Sequence, residues 1–370
     1  MRDRVFAANR IVIKIGSSSL TGKSGGQLDP KAVDALVDVV AKLRKAGKEV
    51  LVVSSGAIAA GLAPLGLATR PKDLATQQAA ASVGQGLLIH RYTESFSRYA
   101  ITASQVLLTI EDVVRRSHYQ NAQRTLFKLI ALGVVPVINE NDSVGTQEIR
   151  FGDNDRIAAL VSHLVGADLL VLVTDVDALY DAPPTSVNAK KISEVHAIDE
   201  ISDALIGGIG SAGVGSGGMI TKVDAARIAS GAGIPTLLTS LNEVGAALEG
   251  NDFGTFFHTT TSKKSSRLLW LAHAATPHGK LILDAGAVTA IKERGVSLLP
   301  AGVTAVEGEF ISGDTVELVG PDGVAIARGL VAFDAVEVPQ MLGRSTKDLA
   351  KSLGAEYERE LVHRDDLVLL

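Results

Sequence analysis

The sequence predicts an α/β protein: a three-layer αβα sandwich around a mostly parallel sheet, followed by a small β-rich domain. Three observations carry this. Apolar, β-branched runs alternate with longer amphipathic stretches through the first two thirds of the chain, and glycines sit near the ends of those stretches. From Lys280 to about residue 355 the pattern changes to short apolar runs between closely spaced turn signals. Residues 10–15 (RIVIKI), 49–54 (EVLVVS), 103–108 (ASQVLL), 134–139 (VVPVIN), 168–174 (DLLVLVT) and 234–239 (IPTLLT) read as buried strands, because continuous apolar runs suit a sheet covered on both faces. The segments beginning at Pro30 (PKAVDALVDVVAKLRKAG) and Asp155 (DRIAALVSHLVGA) read as helices. Residues 77–86 (QQAAASVGQG) are small enough for close helix packing, within a subunit or between subunits. Ligands of such sheets sit outside the carboxyl ends of the strands, so the loops after Ile15, Val53, Ile138 and Val173 share one rim. The boundary falls in a stretch rich in Ser, Thr and Lys. The expected division is a catalytic domain over 1–262, a linker over 263–279, a β-rich domain over 280–358 and a C-terminal tail over 359–370.

Composition narrows the chemistry. With 370 residues, 46% hydrophobic and 21% charged, the chain buries sizeable cores and is neither collagen-like nor disordered. Cysteine is absent, which removes disulfides, thiolate metal sites and cysteine nucleophiles together and fits a reducing compartment. The net charge of −5 lacks the basic surplus of a protein built to hold nucleic acid. No apolar run is long enough to span a membrane. The eight histidines fall singly, with no HExxH and no pair at ligand spacing, so they read as structural or surface residues. Neither GxSxG nor a P-loop is present: Gly16 and Gly22 are separated by five residues where that motif requires four.

Five regions carry polar groups of interest. IVIKIGSSSL puts Lys14 in a strand that opens into Gly16 and three serines, which suits close approach of backbone N–H groups to an anion and equally suits an ordinary polar loop. VVSSGAIAAG turns at Ser55 and Gly56 into a helix, where Ser is either an anion ligand or a helix cap. Residues 139–145 and 151–160 place Glu140, Asp142, Asp153, Asn154 and Asp155 in two loops close in sequence. Carboxylates gathered on one rim repel one another unless cations intervene, and lysines or a magnesium nucleotide are the natural partners. The fourth segment, residues 210–229 (GSAGVGSGGMITKVDAARIA), is the most specific. Five glycines from Gly210 to Gly218 precede a helix with Lys222 in its first turn, giving a nest of N–H groups beside a helix N-terminus. LVLVTDVDALY ends a buried strand in Thr174, Asp175 and Asp177, which suit contacts to a ribose or base.

Taken in order and at their intervals, IVIKIGSSSL, VVSSGAIAAG, VINENDSVG, GDND, LLVLVTDVDALY and GSGGMITK resemble the glutamate-phosphorylating members of the amino acid kinase family. The resemblance covers essentially the whole chain, because bacterial members commonly carry a C-terminal PUA domain that matches the segment after Lys280. It implies the amino acid kinase fold, cytoplasmic location, and transfer of the γ-phosphoryl group of ATP, with Mg²⁺, to the γ-carboxylate of L-glutamate at the start of proline biosynthesis. It assigns Lys14 to the nucleotide phosphates, Ser55, Asp142 and Asn154 to glutamate, and Thr174 and Asp175 to the base and ribose region. Ser216, Gly217, Gly218, Met219, Ile220, Thr221 and Lys222 go to the phosphates, and Asp155 holds the two lysines. Lys14, Lys222 and Asp155 are thus the implied catalytic set, with no side-chain metal ligand assigned. Proline is implied as a feedback inhibitor, and the expected assembly is a homo-oligomer without a membrane partner. Two alternatives stand beside this: a kinase of N-acetylglutamate or another amino acid, and an RNA-binding protein acting through the PUA-like domain. Residues 280–356 hold seven basic against eleven acidic residues, a poor balance for phosphate neutralisation, which argues against nucleic acid as a partner.

Overall fold

The computed structural model of the chain describes residues 2–21, 28–114, 116–144, 153–182, 186, 188–196, 198, 201, 218–259 and 277–370. The chain divides near residue 263 into two compact units. Of the expected linker, all but the last three residues lie outside the described residues.

In the first unit the strands are β1 (Arg10–Ile15), β2 (Glu49–Ser54), β3 (Ala103–Leu108), β4 (Val135–Glu140), β5 (Leu169–Thr174), β6 (Leu179–Tyr180), β7 (Lys191–Ile192), β8 (Glu194–Val195), β9 (Thr236–Ser240) and β10 (Thr255–Phe257). The helices described are α1 (Arg2–Ala7), α2 (Ser17–Leu20), α3 (Pro30–Lys45), α4 (Ala57–Leu62), α5 (Leu74–Ser97), α6 (Ile110–Val114), α7 (Arg116–Ala131), α8 (Asp153–Leu164), α9 (Met219–Gly231) and α10 (Val244–Leu248). Eight strands form the main sheet in the order β3-β4-β2-β1-β5-β9-β10-β8. From β3 to β9 every pairing is parallel. Then β10 runs antiparallel to β9, and β8 pairs in parallel with β10. The short strands β8 and β10 carry too few residues for an apolar run to announce them, and the sequence-based reading omits both.

The pleat of β1 decides what reaches the rim. Ile11, Ile13 and Ile15 pack with Val33, Leu36, Val37 and Val40 of α3 and Leu88, Tyr92 and Phe96 of α5. Successive side chains of a strand alternate between faces, so Val12 and Lys14 point to the opposite side of the sheet. The start of α3 is fixed by Asp29, whose carboxylate accepts from Lys31 N–H at 2.9 Å, and by Pro30 in the first turn. Lys42, Arg44 and Lys45 complement the other end of its dipole. Helices α4 and α5 touch backbone to backbone. A Cβ at Gly61 would lie 1.9 Å from the Ala80 carbonyl oxygen, and one at Gly84 would lie 1.9 Å from that of Ala57. At Gly84 the small-residue run therefore serves packing within one chain.

The second unit is a five-stranded sheet of β11 (Gly279–Leu283), β12 (Val303–Gly308), β13 (Thr315–Val319), β14 (Ala325–Val331) and β15 (Val362–Leu369), in the order β12-β11-β13-β14-β15. Helices α11 (Ala285–Arg294) and α12 (Thr346–Leu353) join it. Its core includes Leu281, Leu283, Ile291, Val316, Leu318, Phe333, Met341 and Leu349. One expectation is corrected here: residues 359–370 are not a tail. β15 pairs antiparallel with β14 and buries Val362, Leu367 and Val368, so the sheet extends through residue 369. The charged stretch HRDD at 363–366 interrupts the apolar pattern and hides that strand in the sequence.

Candidate active site

Two strand ends and two helix starts meet at the rim of the first unit. Lys14 is the next-to-last residue of β1, Asp155 lies in the first turn of α8, and Lys222 lies in the first turn of α9. Lys14 Nζ stands 2.6 Å from Asp155 Oδ1, and Lys222 Nζ stands 3.4 Å from Asp155 Oδ2. Thr221 Oγ1 donates to the same Oδ2 at 2.7 Å. All three charged groups are nearly sealed from solvent, at 4% exposure for Lys14, 1% for Asp155 and 6% for Lys222.

Among the described residues, this cluster sets the side chains of Lys14 and Lys222 on the carboxylate of Asp155 in a place with little water. Burial alone would raise the pKa of Asp155, but the Lys14 and Lys222 ammoniums and the hydrogen bonds from Lys14 and Thr221 outweigh it and hold the carboxyl below its ordinary value. Burial pulls the Lys14 pKa down; attraction to Asp155 opposes this, and repulsion from Lys222 adds to it. The start of α9 adds positive potential, since Lys222 sits at the positive end of a helix that Gly218 caps without a side-chain hydrogen bond. The arrangement is primed for a polyanion.

Beside the cluster lies a neutral, hydrogen-bonded wall. Asn154 Nδ2 donates to Ser55 Oγ at 3.1 Å and to Asn139 Oδ1 at 2.9 Å, and Asn139 Nδ2 donates to Gln85 Oε1 at 2.7 Å. The Glu140 backbone N–H donates to Asn139 Oδ1 and Asn154 Oδ1. Gly56 follows Ser55 with φ of 113°, a left-handed turn that a side chain would strain, and this turn sends the chain from β2 into α4. Below it, Ser54 Oγ and the Tyr92 hydroxyl are 2.9 Å apart in the core. Burial pushes the Tyr92 phenol up, against the hydrogen bond from Ser54, so it is un-ionised.

The structure thus brings together Lys14, Asp155, Thr221 and Lys222 in one cluster, and Ser55 and Asn154 in the other. Asp142 is half-buried in the turn after β4. Thr174 is buried at the end of β5, and its hydroxyl donates to the exposed Asp175 at 2.9 Å. Asp177 turns away, accepting from the Tyr180 hydroxyl and lying 3.5 Å from Lys191. Ser216 and Gly217 lie outside the described residues, as does the glycine-rich loop before them. Gly218 and Ile220 are exposed, whereas Met219 packs its side chain among Leu179, Val223, Leu238 and Phe257 and leaves only backbone to a ligand. Asn154 and Asp155 are adjacent on a helix, so their side chains diverge by about 100° and serve different clusters. Gln85, Asn139 and Tyr92 belong to the site and were not singled out in the sequence; their signal is only that each places a polar group in an otherwise apolar or small-residue stretch.

Residues 9–240 match the amino acid kinase family, and residues 279–353 match the PUA domain. The chain is 62% identical over 370 residues to a glutamate 5-kinase of Streptomyces avermitilis, covering all of this chain and 98% of that one. It is 60% identical over 369 residues to a glutamate 5-kinase of Streptomyces coelicolor, again covering 100% and 98%. With a glutamate 5-kinase of Salinispora arenicola it shares 60% identity over the full length of both chains. Among solved structures, a carbamate kinase from Giardia lamblia bound to AMP-PNP superposes with a TM-score of 0.50 at 21% identity, covering 68% of this chain and 99% of that one, which is a likeness of fold.

Proposed function

The chain belongs to the amino acid kinase family, among its glutamate 5-kinases, and on that premise we propose how its residues carry a phosphoryl group from ATP to glutamate. The activity is ATP-dependent phosphorylation of the γ-carboxylate of L-glutamate to L-glutamyl 5-phosphate, the first step of proline biosynthesis. The observation that carries the assignment of roles is the meeting of Lys14 and Lys222, from distant parts of the chain, on the single carboxylate of Asp155.

The acceptor is already ionised, so the transfer needs neither a covalent intermediate nor a strong base. It needs cations where negative charge spreads over the transferring phosphoryl oxygens. Lys14 takes the nucleotide phosphates, Lys222 the transferring group, and Asp155 holds both lysines in position. Ser216, Gly217, Gly218, Met219, Ile220 and Thr221 supply backbone N–H groups to the phosphates, and Thr174 and Asp175 flank the base and ribose. Mg²⁺ supplies further neutralisation when it arrives with the nucleotide. The carboxylate of Asp155 is already engaged by two lysines and a threonine, so no side chain is assigned to the metal. Among the described residues no helix is long and apolar enough to cross a membrane. Cytoplasmic location and a homo-oligomer complete the reading, with the exposed Val83 and Leu87 of α5 offering an apolar contact to a second copy. The domain limits follow the two units, with 1–262 as the kinase and the remainder beyond the linker as the PUA domain.

Ser55, Asn154 and Asp142 hold the amino-acid end of glutamate, with Asp142 as the anion facing its α-ammonium group. This separates free glutamate from N-acetylglutamate. ADP release measured with each acceptor is expected to show kcat/KM at least about 10²-fold lower for N-acetylglutamate, because a neutral acetamide offers that carboxylate no positive charge. Comparable turnover of the two would overturn the reading.

Proline carries the same α-carboxylate and α-ammonium and lacks the γ-carboxylate, so it inhibits by competing in the glutamate site. Initial rates over a glutamate-by-proline grid should show inhibition abolished at saturating glutamate. Asp142→Ala should raise KM for glutamate by roughly 10- to 10²-fold, the worth of a hydrogen bond to a charged group, and weaken proline in step, with kcat little changed. A maximal rate that falls with proline would place the inhibitor in a separate, coupled site.

A further inference from the structure

Glu194, His196 and His258 lie together at the edge of the main sheet, where the pairing of β8 with β10 brings distant residues side by side. Phe256 stands opposite Glu194 and Phe257 opposite Val195, and the His258 N–H continues the ladder to the Val195 carbonyl at 2.9 Å. Residues two apart on a strand share a face, so Glu194 and His196 point the same way, and the register sets His258 beside His196. The two imidazoles stack with centroids 4.1 Å apart and planes 21° apart. Both aim Nε2 at one oxygen: Glu194 Oε2 is 2.8 Å from His258 and 3.5 Å from His196.

We propose that Glu194, His196 and His258 form a binding site for one divalent transition-metal ion of the zinc class, which fastens the edge strand β8 to β10. A tetrahedral ion with bonds of about 2.0–2.1 Å has ligand-to-ligand edges of about 3.3–3.4 Å. The two histidine-to-glutamate separations bracket that value, and one ligand atom from each residue lies within 4.8 Å of the other two. The remaining closure falls to His196, whose side chain is 73% exposed, while Glu194 and His258 are half-buried. The donor set selects the metal. Two imidazoles and one carboxylate suit Zn²⁺, Ni²⁺ or Cu²⁺, whereas Mg²⁺ and Ca²⁺ prefer oxygen alone. A metal would engage all three groups at once. The mechanical need is local: β8 is two residues long and meets β10 over only two register pairs.

The test uses the full chain, untagged and stripped with a chelator, titrated with Zn²⁺ alone in competition with a chromophoric chelator. The wild type should bind about one ion per chain at this site and gain melting temperature. His196→Ala and His258→Ala should each weaken binding at least about tenfold, and the double variant should lose both the binding and the thermal gain. Mg²⁺ at the same concentration should not displace Zn²⁺. Glutamate phosphorylation assayed with Mg²⁺ as the sole metal should be the same in wild type and variants, which establishes that they fold and separates this site from the proposed catalytic cluster. Absence of stoichiometric Zn²⁺ binding by the wild type, or unchanged affinity in the double variant, would overturn the proposal.

Discussion

Lys222→Ala is expected to lower kcat by about 10²- to 10³-fold while leaving KM for glutamate within about twofold. The reason lies in when the contact acts. As the phosphoryl group leaves ATP, charge builds on its oxygens, and an ammonium already fixed by Asp155 gains interaction energy without having to reorganise. The fold should survive the change. Truncation leaves Lys14 and Asp155 as an ion pair 2.6 Å apart. A variant with normal melting temperature and a collapsed kcat is the expected combination, checked by steady-state kinetics alongside thermal denaturation. A normal kcat with a raised KM for ATP would make Lys222 a ground-state ligand of the nucleotide instead.

Asp155→Asn should harm both stability and catalysis. The substitution keeps the shape but leaves two buried ammoniums facing an amide, and breaking a buried pair by removing one partner costs about 3–5 kcal/mol. Part of that cost is escaped if a lysine gives up its proton, but a neutral lysine cannot stabilise the phosphoryl group, so rate is lost either way. Activity is expected to fall at least as far as in Lys222→Ala, and the chemical-denaturation midpoint should drop markedly. The sign of the pH dependence follows from the depressed pKa of Asp155. A carboxylate whose folded pKa lies below its unfolded value contributes stability that is fully present above the unfolded pKa of about 3.9 and is lost as pH falls through the folded value. The part of the stability gap between wild type and Asp155→Asn that comes from the carboxylate should therefore narrow below about pH 4. A gap independent of pH down to the folded pKa and beyond would mean that Asp155 acts through packing and not through charge.

The sequence by itself determined the layer order, the main parallel strands and the second domain. β1, β2 and β3 span the residues their apolar runs mark, because a strand buried on both faces must be apolar throughout and little else in a soluble chain is. It also marked Lys14, Asp155 and Lys222, since lysines beside glycine-rich turns at strand and helix ends are visible as local chemistry. What only the tertiary structure decided depends on neighbours distant along the chain. Asn154 and Asp155 are consecutive letters, yet helical geometry sends one to Ser55 and the other to the lysines. Gln85 and Asn139 are ordinary polar residues until α5 and β4 bring them within hydrogen-bonding reach. Glu194, His196 and His258 read as isolated histidines and an unremarked acid, because their spacing in sequence carries no ligand pattern and the β8–β10 register alone makes them adjacent. Residues 359–370 looked like a tail because charged residues on an edge strand break its apolar run, and pairing with β14 supplied the order that local propensity did not. Periodicity reports which face of an element is buried; which side chains meet across elements is set by sheet order and register, and those are properties of the whole fold.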